Sequence, residues 1–249
     1  MTLTEFRRRF ITVHKCGGCG QILDYEHTET AFCDKCRLDW NAATTVGCPT
    51  CFKPARECAC MPKLLSRAGA LCLRKLFFYQ SEDVYSPHMN MVHWLKKRHS
   101  KRMTQFVCDE MAAAVDEELR TLGVLPDCNK IIVTNVPRSW RAKAFWGFDQ
   151  SADLARAIAA SIGAEYVRLF TSAHSAKQQK KLDSKGRMLN AKRNIRFCDT
   201  GDCKERYVLL VDDMVTTGAS MSVCVKKLME AGARGVVCFS LASKNVKNR

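Results

Sequence analysis

No run of about 18 apolar residues occurs in the 249-residue chain, which excludes a transmembrane helix. The amino terminus, MTLTEFRRRFITVHKCGGCG, carries an arginine cluster but lacks the apolar stretch of a signal peptide behind it. We therefore expect a cytoplasmic protein with no membrane insertion. Acidic residues are scarce beside basic ones, 25 against 40, giving a formal charge of +15. A field of that sign concentrates phosphates and nucleic acid around a protein. A solvated basic surface without a specific partner has the same composition, so charge alone does not choose. Long helical periodicity is also missing before residue 60, and cysteine fills that gap.

Eight of the 15 cysteines lie between Cys16 and Cys60, all in close pairs, and the rest are scattered singly. In a cytoplasmic chain such pairs point to metal rather than to disulfides. CGGC (Cys16, Cys19), CDKC (Cys33, Cys36), CPTC (Cys48, Cys51) and CAC (Cys58, Cys60) supply the thiolates. Two such pairs complete one tetrahedral zinc site, and the glycines and Pro49 suit the tight turns it needs. Taken in order, Cys16, Cys19, Cys33 and Cys36 hold one ion and Cys48, Cys51, Cys58 and Cys60 a second; a crossed pairing, or a single ion, stays open. Structural zinc is expected rather than an iron–sulfur cluster, and His14 and His27 are read as surface residues because the thiolates suffice. So short a segment buries little core, and metal would supply most of its folding free energy. The composition shift sets a boundary at Pro62, dividing a cysteine-rich zinc-binding, ribbon-like domain (1–62) from a second domain (63–249).

Beyond the boundary the chain is basic from Lys63 to Gln105, with turn signals at Ser86 and Pro87. Spaced apolar residues predict a helix over Thr104 to Leu122, with Val107, Met111, Val115 and Leu119 on one face, and another over Gln150 to Ile162. Strands are predicted over Ile131–Val136, Tyr166–Phe170, Tyr207–Val211 and Gly235–Leu241, with a helix over Thr217–Ala231. A polar basic loop, PRSWRAKAFWG, and a very basic stretch, Ser172 to Arg196, complete the pattern. Alternating strands and helices argue for an α/β fold whose parallel sheet is covered on both faces. Ligands of such sheets bind beyond the carboxyl ends of the strands.

At one of those ends stands VLLVDDMVTTGAS. Two adjacent carboxylates repel and have poor strand propensity, so local stability does not explain Asp212 and Asp213. A loop leading into a helix offers backbone amides to a phosphate, Thr216 and Thr217 add hydroxyl donors, Gly218 lets the backbone come close, and carboxylates accept from sugar hydroxyls. The ligand so described is a ribose 5-phosphate.

The stretch resembles the signature of type I phosphoribosyltransferases for phosphoribosyl pyrophosphate (PRPP). That resemblance implies a ribose-phosphate site of Asp212, Asp213, Val215, Thr216, Thr217, Gly218, Ala219 and Ser220, with the two aspartates as the catalytic candidates. It also implies a pyrophosphate loop after an earlier strand, for which Arg138, Ser139, Arg141 and Lys143 are candidates, and a closing loop within Ser172 to Arg196. WGFDQSADLARAIA, QKKLDSKGRMLN and the amino-terminal cysteine pairs narrow the likeness to the ComF family, which supplies Gln179, Arg187 and Asn190 as loop residues. Trp146 and Asp149 depart from that family's usual arginine and asparagine, and a lost cation weakens diphosphate binding.

The ComF resemblance implies a PRPP-binding, phosphoribosyltransferase-like protein acting in DNA uptake during natural competence, with single-stranded DNA or a competence helicase as partner. Trp140 and Trp146 are candidate stacking platforms for single strands. A second reading is a working enzyme that transfers ribose 5-phosphate to a nitrogenous base, with Mg2+ bound alongside PRPP and a base-selecting hood within Leu64 to Arg102. A third is a non-catalytic regulator that senses the metabolite.

Overall fold

The computed structural model describes residues 14–23, 30–79, 86–97, 100–123, 130–173, 184–198 and 202–244. The chain runs through helix α1 (Asp34–Thr44), helix α2 (Lys63–Ala68), strand β1 (Ala70–Tyr79), helices α3 (Pro87–Lys97) and α4 (Lys101–Thr121), and strand β2 (Ile131–Asn135). It continues through helices α5 (Trp140–Trp146) and α6 (Gln150–Ser161), strands β3 (Glu165–Tyr166) and β4 (Phe170–Ser172), helix α7 (Ser184–Asn194) and strand β5 (Ile195–Phe197). Strand β6 (Tyr207–Val215), helix α8 (Ala219–Glu230) and strand β7 (Gly235–Lys244) close the order. Five strands form one parallel sheet in the order β1-β7-β6-β2-β3, and β4 and β5 form a separate antiparallel ribbon.

Alternation along the central strands buries both faces. Leu209 and Val211 with Val237 and Phe239 join one apolar cluster, packed with Met111, Val115 and Leu119 of α4 and Leu154 and Ile158 of α6. Their neighbours Val208, Leu210, Val236 and Cys238 turn to the other face and meet Cys224, Val225 and Leu228 of α8. The first cluster also takes in Cys16, Leu23, Phe32 and Trp40. Trp40 is fully buried, its ring centroid 5.6 Å from Phe77 of β1 and 5.2 Å from Phe106 of α4. The first cysteine pairs are thus seated on the core of the sheet, which supplies apolar contact in addition to any metal.

Several elements differ from the sequence expectations. The basic stretch after Lys63 contains the edge strand β1, which the charges at Arg74 and Lys75 disguised. Arg74 pairs with the buried Glu118 of α4, and Lys75 is itself buried. The expected strand Tyr166–Phe170 is two strands, because the N–H of Leu169 turns back to the carbonyl of Val167 at 3.1 Å and carries the chain out of the sheet. The expected polar loop after β2 contains α5. Of Ser172 to Arg196, the described part forms helix α7 and the ribbon, while 174–183, including Gln179, lie outside the described residues, as does His27.

The direction of the connections fixes where a ligand can sit. From β2 the chain moves outward to the edge strand β3, whereas from β6 it moves the other way to β7. The reversal opens a crevice between the carboxyl ends of β2 and β6. Asp212 and the segment after Val136 both lie at that crevice.

Candidate ribose-phosphate site and cysteine clusters

Strand β6 does not stop at Val211. Its partner β7 runs on to Lys244, and the pairing continues through Asp212 with Ser240, Met214 with Ala242 and Val215 with Ser243. Ladder bonds from a longer neighbour override the poor strand propensity of the acidic pair. Within a strand, adjacent side chains point to opposite faces, so the two carboxylates diverge. Asp212 is held in place: Oδ1 accepts from the hydroxyl of Ser151 at 3.1 Å and from the N–H of Asp213 at 2.9 Å. Ser151 lies in the first turn of α6, so that helix orients the first carboxylate.

After Val215 the chain makes the Thr-Thr-Gly turn. Gly218 adopts φ 75° at the start of α8, and a Cβ there would meet Leu65 Cγ at 3.2 Å and Pro62 Cβ at 3.4 Å. The turn therefore rests directly on the segment leaving the second cysteine cluster. Asp212, Asp213, Thr216, Thr217 and Ser220 are half-buried and keep exposed surface, whereas Val215 and Ala219 are buried and can offer only backbone. Arg187 of α7 donates from Nη1 to the Thr216 hydroxyl at 3.0 Å, so the basic stretch and the turn meet. Asn190 faces its own helix, its Oδ1 accepting from Asn194 at 2.8 Å.

Across the crevice, Arg138 donates to the carbonyl of Phe148 at 3.3 Å and stacks over the Phe148 ring. Lys143 pairs with Asp149 at 2.5 Å, the position where sequence comparison noted an acid in place of an amide. Ser139 is half-buried and Arg141 exposed. Two of the expected diphosphate cations are therefore engaged by their own loop.

Sequence reasoning missed three contributors. Ser151 orients Asp212. The phenol of Tyr166 donates to Asn135 Oδ1 at 2.8 Å, bracing the end of β2. Arg168 joins Lys143, Asp149, Arg156 and Tyr166 around a cavity of about 230 Å³. Only the basic residues among them carry a sequence signal, and in a chain this rich in cations that signal is lost.

The cysteines gather in the order expected. Sγ atoms of Cys16, Cys19, Cys33 and Cys36 lie within 4.8 Å of one another, and so do those of Cys48, Cys51, Cys58 and Cys60. The separations of 3.7 Å (Cys16 to Cys33) and 3.9 Å (Cys19 to Cys33) match the edge of a tetrahedron whose metal–sulfur bonds are about 2.3 Å, roughly 3.8 Å. Amides aim at the sulfurs: Gly18 and Cys33 N–H reach Cys16 Sγ at 3.4 and 3.3 Å, and Thr50 N–H reaches Cys48 Sγ at 3.4 Å. Burial raises the Cys16 and Cys48 thiols, but these backbone donors outweigh it and bring each down to about 7. Burial and the neighbouring sulfurs push Cys60 up to about 12. Each cluster therefore has the donor set of a metal site.

The molecule is thus a parallel α/β protein with an acidic pair and a Thr-Thr-Gly turn at its switch point, and two four-cysteine clusters at its amino-terminal end. No family model matches the chain. It is 24% identical over 242 residues to competence protein ComFC of Streptococcus pneumoniae (strain ATCC BAA-255 / R6), covering 91% of this chain and 99% of that protein. The ComF resemblance carried by the motifs thereby extends along most of the chain. Among solved structures, purine phosphoribosyltransferase from Pyrococcus horikoshii Ot3 matches with a TM-score of 0.35 at 14% identity, covering 55% of this chain and 82% of that one. Among the described residues, no helix is long and apolar enough to cross a membrane.

Proposed function

We propose that this chain is a ComF-family, PRPP-binding, phosphoribosyltransferase-like protein that acts in DNA uptake during natural competence. The observation that carries the reading is the switch-point crevice, where an oriented Asp212 and the turn Thr216–Gly218 face the loop after β2. Support for the competence role comes from the likeness to ComFC.

In this reading the amides of 216–220 and the hydroxyls of Thr216 and Thr217 hold the 5-phosphate. Asp212 and Asp213 accept from the ribose hydroxyls, with Ser151 fixing Asp212. Arg138, Ser139, Arg141 and Lys143 serve the diphosphate, for which Lys143 must leave Asp149. Arg187 and Asn190 belong to the segment that closes the site, together with Gln179. Mg2+, when bound, neutralises the diphosphate. Residues 1–62 form the metal-binding unit, with zinc in both clusters, and 63–249 the ligand-binding unit of a cytoplasmic protein.

Titration calorimetry with PRPP and Mg2+ tests the site. Micromolar-range binding that falls at least tenfold in Asp212→Asn and Asp213→Asn is expected; no heat with the native chain overturns the reading. Pyrophosphate release with a panel of bases decides whether the bound sugar is also transferred. Single-stranded DNA binding that is salt-sensitive and survives the aspartate variants would place the nucleic-acid surface outside the crevice.

A further inference from the structure

The two cysteine clusters differ in one respect that their spacing does not reveal. Lys75, on the edge strand β1, is only 2% exposed. Its ammonium donates to the carbonyls of Cys60 at 2.7 Å, Cys58 at 3.0 Å and Leu73 at 3.2 Å. Two of these three backbone oxygens belong to members of the second cluster. A buried ammonium is costly unless an anion lies near it. Four thiolates around a divalent ion carry a net charge of −2, and no other anionic group is hydrogen-bonded to Lys75 among the described residues. The ammonium and the loaded cluster offset each other's burial.

We propose that Lys75 is the resident counter-cation of the Cys48–Cys51–Cys58–Cys60 site, and that it makes this site the firmly held one, leaving Cys16–Cys19–Cys33–Cys36 as the exchangeable site. The inference rests on the reading of both clusters as metal sites, not on the crevice. Exposure points the same way. Cys19 is exposed, whereas in the second cluster Cys48 and Cys58 are buried and Cys51 and Cys60 half-buried. Charged groups tie the second cluster to the body of the protein. Arg56 beside it pairs with Glu110 of α4, and Arg74 reaches both the Glu57 carbonyl and Glu118. The first cluster is tied to the same body, Arg37 to Glu110, Arg102 to the Lys15 carbonyl and Asn90 to the Gly18 carbonyl, but no buried ammonium is hydrogen-bonded to the carbonyls of its cysteines among the described residues. Lys75 faces the carbonyls of Cys58 and Cys60 and the Cys58 side chain, and an ammonium has no lone pair for a metal, so it is a positioning and neutralising residue, not a ligand.

The test uses the full chain loaded with Zn2+, exposed to a graded chelator and an alkylating agent, with mass spectrometry assigning each newly labelled cysteine. In the native chain Cys16, Cys19, Cys33 and Cys36 label first. Lys75→Met and Lys75→Gln lower the metal affinity of the second cluster by about 10–100-fold, the usual effect of losing an outer partner, and leave the first unchanged. Lys75→Gln separates charge from anchoring, since it keeps N–H donors without the cation; Lys75→Arg restores retention. The proposal is overturned if the native clusters label together or in the reverse order, or if Lys75→Gln holds its second metal as well as the native chain. Should the variants fail to fold, the labelling order of the native chain decides. A chain that takes up no metal at all fails the metal reading, which is a different result from a loaded chain with equal clusters.

Discussion

Gly218 shows how one missing side chain serves two requirements. The turn needs φ 75°, which an alanine adopts only under strain, and the space beside it is already filled by Leu65 and Pro62. Gly147 has nearly the same φ, 76°, with nothing within 4 Å of the Cβ position. Gly147→Ala should therefore cost only the backbone term, about 1–2 kcal/mol. Gly218→Ala should cost more, up to about 3 kcal/mol, and also weaken phosphate binding. Urea denaturation of the two variants measures the difference; equal costs would show that the contact with Leu65 is slack. Ser151 is a second such residue. Ser151→Ala removes one donor to Asp212 and should lower stability by about 0.5–1.5 kcal/mol. It should weaken PRPP binding through looser orientation of the carboxylate, while Ser151→Thr, which keeps a hydroxyl, should bind better than the alanine variant in the same calorimeter.

Elements, rather than residues, bring the two halves of the crevice together. Helix α7 carries Arg187 to Thr216 although the two are 29 positions apart in sequence. Arg187→Ala should leave thermal stability nearly unchanged, because the contact is half-exposed, yet reduce PRPP affinity by removing a cation next to the phosphate turn. If Arg187→Lys binds as weakly as the alanine variant, the planar guanidinium geometry matters; if it binds as the native chain does, charge alone suffices. The same scale shows what the sequence made legible. Periodicity revealed α4, α6, α8 and the central strands because each buries one stripe or both faces. The acidic pair and the Thr-Thr-Gly turn were legible because their chemistry conflicts with their surroundings. β1 was hidden because its two charges are answered by Glu118 and by backbone carbonyls from distant segments, which local pattern does not contain. The extension of β6 past Val211 likewise comes from the length of β7.

At the scale of the whole molecule, the amino-terminal cysteine region and the sheet share one apolar core through Trp40. Its indole lies among Phe32, Phe77 and Phe106, at centroid distances of 5.2–5.6 Å, and its N–H donates to Glu110 at 3.1 Å. Helix α1, which holds Trp40, begins one residue after the ligand candidate Cys33 and contains Cys36. A metal held by the first cluster would therefore be mechanically joined to the seating of Trp40, since its withdrawal would free the start of the helix that carries the indole. Trp40→Ala should cost about 3–5 kcal/mol. Because Phe77 belongs to β1, the loss should lower the melting of the sheet and not merely of the amino-terminal segment. Chelation should act in the same direction: the native chain, stripped of metal, should melt at lower temperature in far-ultraviolet circular dichroism, with its tryptophan fluorescence shifting towards that of exposed indole in the same transition. In Trp40→Ala, chelation should lower the melting temperature by less than it does in the native chain, because the contact through which the first cluster supports the sheet is already gone. Equal decrements in the two proteins would mean that the metal stabilises only its own turns, and that the shared core transmits nothing from cluster to sheet.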